Sequence, residues 1–208
     1  MKSMITRLEW LVGKEHARLM KNKSVAVFGC GGVGSFAVEA LVRSGIGRIV
    51  VIDGDEVEIT NINRQLIALP ATIGRRKVQV SKERCLSINP ELVFEGLDIV
   101  YTHEKYPTLI ADLKVDYIID AIDMVTAKLD LIEQSRAEGI PIISAMGTGN
   151  KLDPTRLAVA DIAKTHTCPL ARVMRRELKK RKILHTDVVF SSEAPRAPQW
   201  DDAESSSP

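Results

Sequence analysis

Cysteine is scarce in this sequence: Cys30, Cys85 and Cys168 are the three in 208 residues. Few, scattered and odd in number, they argue against a disulfide framework and suit a reducing compartment. No C-x-x-C pair occurs, which speaks against a structural zinc ribbon. His16, His103, His166 and His185 show no metal-ligand spacing. Aromatic residues are 4% of the chain, so a core must come from Val, Ile, Leu and Ala within the 45% apolar content. No apolar run approaches the roughly 18 residues of a membrane span. The opening MKSMITRLEW lacks the continuous apolar stretch of a signal peptide. These absences predict a soluble, cytoplasmic protein with no membrane attachment. The net charge of +2 says little about partners, and no internal repeat is found.

What is present is an alternation. SVAVFG (24–29), RIVVID (48–53), LVFEGLDIV (92–100), VDYIIDAID (115–123) and IPIISAMG (140–147) read as strands, and LAVADIA (157–163) as a sixth, antiparallel one. Between them, Val33, Phe36, Ala37, Ala40 and Leu41 recur at helical spacing. Residues 75–88 form a charged helix stopped at Asn89-Pro90, and 125–138 a helix stopped by Gly139. Such alternation predicts an α/β fold, a Rossmann-like, mostly parallel sheet with helices on both faces. Ligands then bind at the carboxyl ends of the strands. The polar clusters at 29–35, 53–65, 120–123 and 147–150 all fall just after predicted strands. A nucleotide-binding domain is expected over 1–163. A basic helix and strand over 164–194 would extend the same domain. The tail 195–208 is too poor in apolar residues for a core and is expected to be disordered.

The motif Gly29-Cys30-Gly31-Gly32-Val33-Gly34-Ser35 matches G-x-G-x-x-G between a strand and a helix. Such glycines let backbone approach a phosphate, and the helix N-terminus offers free N–H groups. Asp53, 24 residues after Gly29, ends the second strand, where a carboxylate can accept ribose hydroxyls. NAD and ATP sites share that feature. Asp55, Asn61, Arg64, Gln65 and Lys77 separate them. Arg64 would be a fork for phosphate oxygens, Lys77 a second cation, and Asp123 a carboxylate for Mg²⁺ bridging phosphates. Backbone cradle, cations and metal carboxylate are parts for phosphoryl chemistry; hydride transfer needs none of them. Taken singly, Arg64 or Lys77 reads as a solvated surface charge.

GCGGVGS, then DGDEVEITNINRQ, Lys77 and DAID together resemble the ubiquitin-activating-enzyme superfamily with its ThiF and MoeB adenylyltransferases. The resemblance covers about residues 5–163 and implies adenylation of a carboxylate with ATP and Mg²⁺. It implies that Gly29, Gly31, Gly32 and Gly34 line the phosphates and that Asp53, with Asp55 and Gln65 beside it, binds the nucleotide. Asn61, Arg64 and Lys77 would contact phosphates and Asp123 would hold magnesium. Arg7 resembles an N-terminal arginine that reaches the partner subunit's ATP, which implies a homodimer. SGIG (44–47), SINPE (87–91), LDPTRL (152–157), DIAKT (161–165), PLARVMRREL and VVFSSEAP (188–195) are similar to a branch of the superfamily that works on tRNA. That branch closes the threonylcarbamoyl group on the adenosine beside the anticodon into a ring, with loss of water. A sulfur-relay protein is a further implied partner. The alternative within the superfamily is activation of a small sulfur-carrier protein ending in Gly-Gly. Outside it stand a chain that binds ATP or tRNA without turnover, and an NAD dehydrogenase.

Residues 164–182 hold eight Lys or Arg against one acid, Glu177. Arg172, Arg175, Arg176, Lys179 and Lys180, with Arg181 and Lys182, could track tRNA phosphates; a solvated helix face is the bland reading. Cys168, in THTCPL, could form a thioester as in some superfamily members, or be a tolerated loop cysteine. Met124 stands where the superfamily often has Asn. Members of the tRNA branch continue beyond the equivalent of SSEAP, so impaired dimer or tRNA contacts are an expectation for this chain.

Overall fold

A computed structural model describes residues 3–197 and divides into two compact units after Ala145. In the first unit, helices α1 (Thr6–Val12) and α2 (Lys14–Lys21) precede five strands. These are β1 (Ser24–Phe28), β2 (Arg48–Ile52), β3 (Val93–Leu97), β4 (Tyr117–Asp120) and β5 (Ile142–Ala145). They pair in parallel in the order β3-β2-β1-β4-β5. Helices α3 (Gly34–Arg43), α4 (Lys77–Ile88), α5 (Leu109–Leu113) and α6 (Val125–Ala137) connect them.

The two-residue period of the strands explains why both faces are covered. Val25, Val27, Ile49 and Val51 pack in one cluster with Val38 and Val42 of α3 and Val78, Val80 and Cys85 of α4. Their neighbours Ala26, Phe28, Val50, Ile52 and Ile118 pack in a second cluster with Ile110 and Leu113 of α5 and Ala127 and Leu131 of α6. A strand buried on both sides reads as an unbroken apolar run, as these do. Each fully buried Val, Ile or Phe contributes about 1.5–3 kcal/mol. The strand expected over 115–123 ends at Asp120, and residues 121–124 leave the sheet as a turn. The strand expected over 92–100 is likewise confined to β3. Helix α5, only five residues long, was not expected; so short a segment carries no periodicity. The chain order reverses between β1 and β4, so their carboxyl ends open a crevice.

In the second unit, β6 (Leu157–Asp161) pairs antiparallel with β7 (Asp187–Ser191), and α7 (Pro169–Lys180) lies between them in sequence. Because β6 pairs with β7, residues 146–163 belong to this unit, and the expected boundary at 163/164 falls inside it. Pro169 opens α7 at a position that needs no backbone donor. Ala171, Met174 and Leu178 form its buried stripe. Glu193 clasps the unit's first loop by accepting the N–H groups of Leu152 and Asp153 at 3.0 and 2.8 Å. Most of the expected tail, from residue 198 on, lies outside the described residues. No helix among the described residues is long and apolar enough to cross a membrane.

Candidate active site

The site is built at the carboxyl ends of β1, β2 and β4. Gly29 leaves β1 with φ +88°, and a Cβ there would lie 2.8 Å from the Ala121 carbonyl oxygen. A Cβ on Gly34 would lie 1.7 Å from the Gly29 carbonyl oxygen. These two glycines close the turn. Gly31 and Gly32 differ: a Cβ on Gly31 would meet only Gln65 Nε2, at 3.8 Å, and one on Gly32 would approach the Arg64 side chain at 3.4 Å. Their backbone is thus the open part of the loop, and it faces Arg64 and Gln65. Ser35 binds the two segments together, donating to the Gly31 carbonyl at 2.6 Å and accepting the Leu66 N–H at 3.1 Å.

Asp53 is buried just beyond β2 and accepts the N–H of Cys30 at 2.6 Å and of Asp55 at 2.9 Å. Burial pushes its carboxyl above the ordinary value, and those two N–H groups and the charge of Lys77 pull it back. Lys77, at the start of α4, is itself buried and donates from Nζ to Asp55 at 2.7 Å. The bland reading of Lys77 as a solvated charge does not hold. Asn61 is also buried, and its side-chain oxygen accepts the Glu58 N–H at 3.1 Å, which shapes the 58–61 turn. Arg64 is exposed, donating to the Thr60 carbonyl at 2.9 Å and to Asn63 at 3.1 Å. Gln65 is buried and its Oε1 has no hydrogen-bond partner within the described protein. A buried amide oxygen left unpaired beside an open glycine loop is a group waiting for a donor.

Asp123 follows β4 and lies exposed on the wall of a cleft of about 160 Å³. Gly29, Asp53, Asp55, Tyr101, Asp123 and Met124 are among the residues lining it. Tyr101 packs edge-on against Phe28, with ring centroids 5.2 Å apart. Its hydroxyl is buried with no hydrogen-bond partner among the described residues, and burial raises the phenol to about 12. No three His, Cys, Asp or Glu side chains converge on a metal site among the described residues. Asp55 on the same wall is also exposed but is paired with Lys77; the exposed carboxylate of Asp123 suits a magnesium ion that arrives on phosphates and keeps several waters.

Arg7 is not among the cleft residues. It lies on α1 with its guanidinium 5.0 Å from the centre of the Trp10 ring. The basic residues of α7 separate by partner. Arg175 donates to the carbonyl and hydroxyl of Thr165 at 2.8 and 2.5 Å. Arg176 and Lys180 both pair with Glu177 at 2.8 Å. Arg172 and Lys179 are exposed on the same helix. Cys168 is buried, its Sγ 3.7 Å from the Gly147 carbonyl oxygen.

Sequence reasoning overlooked one element of the site. Lys128 of α6 and Asp120 are fully buried and pair at 3.0 Å, and Ser144 of β5 donates to Asp120 at 2.5 Å. Burial raises the Asp120 carboxyl, and Lys128, first among its partners, and Ser144 oppose that shift. The signal was an aspartate inside the apolar run VDYIID, which requires a buried partner.

A doubly covered parallel sheet, a glycine loop at its switch point and a carboxylate cleft beside it define a nucleotide-binding α/β protein. The chain belongs to the ThiF family, whose pattern matches residues 6–186. It is 49% identical over 191 residues to the tRNA threonylcarbamoyladenosine dehydratase of Bacillus subtilis, covering 91% of this chain and 75% of that protein. The protein of the same name from Escherichia coli is 40% identical over 199 residues, 92% of this chain and 74% of its own. The crystal structure of the E. coli enzyme, TcdA, in complex with ATP superposes with a TM-score of 0.89 at 38% identity, covering 94% of this chain and 83% of that one.

Proposed function

We propose that this chain is an ATP-dependent tRNA threonylcarbamoyladenosine dehydratase. The observation that carries the reading is the open Gly31–Gly32 backbone facing Arg64 and Gln65, next to a cleft that holds Asp53, Asp55 and Asp123. Kinship with dehydratases, one of them crystallised with ATP, supports the substrate. The threonyl carboxylate of the modified adenosine is a poor electrophile, because its oxygen is a bad leaving group. One carboxylate oxygen attacks the α-phosphorus of ATP, and the bond to pyrophosphate breaks. The carbamoyl group of the same modification then attacks the acyl carbon, gives up a proton, and AMP leaves with the former carboxylate oxygen. The net change in the nucleoside is the loss of one water. No protein nucleophile is needed, which agrees with the buried position of Cys168.

The loop N–H groups and Gln65 Nε2, the side-chain atom that faces Gly31, would donate to the phosphates. Arg64, released from Thr60 and Asn63, would neutralise charge on them, and Asn61 and Lys77 would fix the segments around them. Asp53 would take ribose hydroxyls with the lone pairs that Cys30 and Asp55 leave free. Asp123 would hold Mg²⁺, which supplies charge neutralisation on the phosphates when bound. Arg172 and Lys179, with the other cations of α7, would meet tRNA phosphates. A homodimer is part of the reading: α1 exposes Trp10 and Leu11 at 65% and 82%, a face that a second copy would cover, and Arg7 lies on the same helix. The protein would work in the cytoplasm, with a sulfur-relay protein as a further partner.

The test is a product measurement. The chain is incubated with ATP, Mg²⁺ and tRNA carrying the linear threonylcarbamoyl group, and the nucleosides are released by mild digestion and weighed. ATP-dependent loss of one water is expected. No loss, with AMP appearing only when a carrier protein ending in Gly-Gly is added, would replace this reading by carrier activation.

A further inference from the structure

We propose that Lys128 is a positioning residue that sets the direction in which Asp123 leaves β4; the inference rests on the ATP-dependent reading above. Lys128 Nζ makes two contacts from a fully buried position, to Asp120 Oδ1 at 3.0 Å and to the Ile122 carbonyl oxygen at 2.9 Å. Asp120 Oδ1 in turn accepts the Ile122 N–H at 3.3 Å. One ion pair therefore holds the N–H and the carbonyl of Ile122, and the next residue is Asp123. Ser144 fixes the far side of the pair through Asp120 Oδ2 at 2.5 Å.

The turn is also wedged against the nucleotide loop. The Ala121 N–H donates to the Phe28 carbonyl at 2.8 Å, and the Ala121 carbonyl fills the space where a Gly29 side chain would stand. The loop side thus pins the turn at Ala121, and what Lys128 sets is the path beyond it, at Ile122 and Asp123. Stability alone gives little reason to keep such a pair, since well-packed apolar residues of equal volume generally do as well. The contact from Lys128 to the Ile122 carbonyl is what an apolar side chain cannot supply. Groups that orient a metal-holding carboxylate without touching the metal typically change affinity or rate by about 10–100-fold when removed.

The double variant Asp120→Asn/Lys128→Met keeps the volume and removes both charges together. ATP binding to the full chain is measured by calorimetry in EDTA and across a Mg²⁺ titration, alongside the rate of AMP formation and the melting temperature. The expected result is ATP affinity in EDTA within about twofold of the parent and a Mg²⁺ requirement raised about tenfold or more. The kcat for AMP should fall by a similar factor with KM for ATP little changed. A folded double variant with the parent's Mg²⁺ dependence and kcat would overturn the proposal and leave the pair a structural one. If the double variant is insoluble, Ser144→Ala decides. It should shift the Mg²⁺ requirement in the same direction by about threefold, on the scale of one lost hydrogen bond, and an unshifted requirement overturns the proposal. Should the parent chain itself form no AMP with tRNA, the functional reading fails, and calorimetry with ATP and Mg²⁺ still judges Lys128.

Discussion

Strand β4 begins and ends beside an aspartate, and the two have the same set of donors. Asp116 receives Lys23 Nζ at 2.7 Å, Ser24 Oγ at 2.7 Å and the Ser24 N–H at 2.8 Å. Asp120 receives Lys128 Nζ at 3.0 Å, Ser144 Oγ at 2.5 Å and the Ile122 N–H at 3.3 Å. Yet the carboxyl of Asp116 is held down to about 2, chiefly by its bond from Lys23. That of Asp120 is pushed above its ordinary value by burial. Side-chain exposure is 37% at Asp116 and 0% at Asp120, and that difference decides the sign. Identical chemistry at the amino end of the strand is a solvated clamp. At the carboxyl end it is a dry support under the candidate site.

The comparison assigns function to one end of the strand, and Asp123→Ala tests that most severely. Removing the exposed cleft carboxylate should lower the AMP-forming rate by at least about 100-fold, the scale on which positioned charge acts. The melting temperature should barely move, because Asp123 is an exposed side chain on the cleft wall. Quenched-flow measurement of AMP beside thermal unfolding checks both. A rate within about threefold of the parent would remove Asp123 from the reaction.

Breaking the two pairs singly comes next. Lys128→Met leaves the Asp120 carboxylate buried without a counter-ion and should cost about 3–5 kcal/mol of stability. Lys23→Met breaks a pair open to water and should cost no more than about 1 kcal/mol. Urea unfolding of both variants reads the contrast; equal costs would show that burial is not what separates the two ends.

That contrast also marks what the sequence could show. The glycine loop, the acids after β2 and β4 and the alternation of strands with helices were legible because they are local patterns. A parallel strand covered on both faces must be an apolar run, and a phosphate loop must be rich in glycine. Lys128 was illegible for a physical reason: it looks like any charged position on a helix until the helix is docked and the lysine is found facing β4. Lys77 and Arg175 were illegible in the same way. Each was read as a cation for a ligand or as a solvated charge, and each donates to a protein oxygen, on Asp55 and on Thr165. The division of the glycines into two that close the turn and two that leave it open required the neighbours Ala121, Arg64 and Gln65, which no spacing places there.

Helix α7 carries the comparison into the second unit. If exposure decides whether a cation meets a partner or holds the fold, Arg172 and Lys179 should behave unlike Arg175. Arg172→Ala and Lys179→Ala should each weaken tRNA binding several-fold and reduce the slope of log affinity against log salt by about one, with no change in melting temperature. Arg175→Ala should instead lower stability by about 1–3 kcal/mol, because it strips Thr165 of its donor. Filter binding across a salt series, beside thermal unfolding, separates the two classes. A uniform loss of affinity in all three, with no change in stability, would return α7 to a simple basic face.

The smallest expected effect is the pH dependence of the solvated clamp. The Asp116 carboxyl sits near 2 in the folded protein and near 3.9 in an unfolded chain. A depressed value means that the stabilisation is fully present above the unfolded value and is lost as pH falls through the folded one. The melting temperature of Asp116→Asn should therefore lie slightly below that of the parent from neutral pH down to about 4, by no more than the equivalent of about 1 kcal/mol. The gap should close between about pH 4 and 2 as the parent's carboxylate takes up its proton. Asp120 works in the opposite direction, since a raised value means the folded state takes up its proton before the unfolded chain does. Acid thus removes the clamp at one end of β4, while at the other, burial favours the protonated form of Asp120 and the charge of Lys128 opposes it. A gap that stays constant down to pH 2 would show that the charge of Asp116 contributes nothing to the clamp, and that the likeness of its donor set to that of Asp120 is geometry without electrostatic energy.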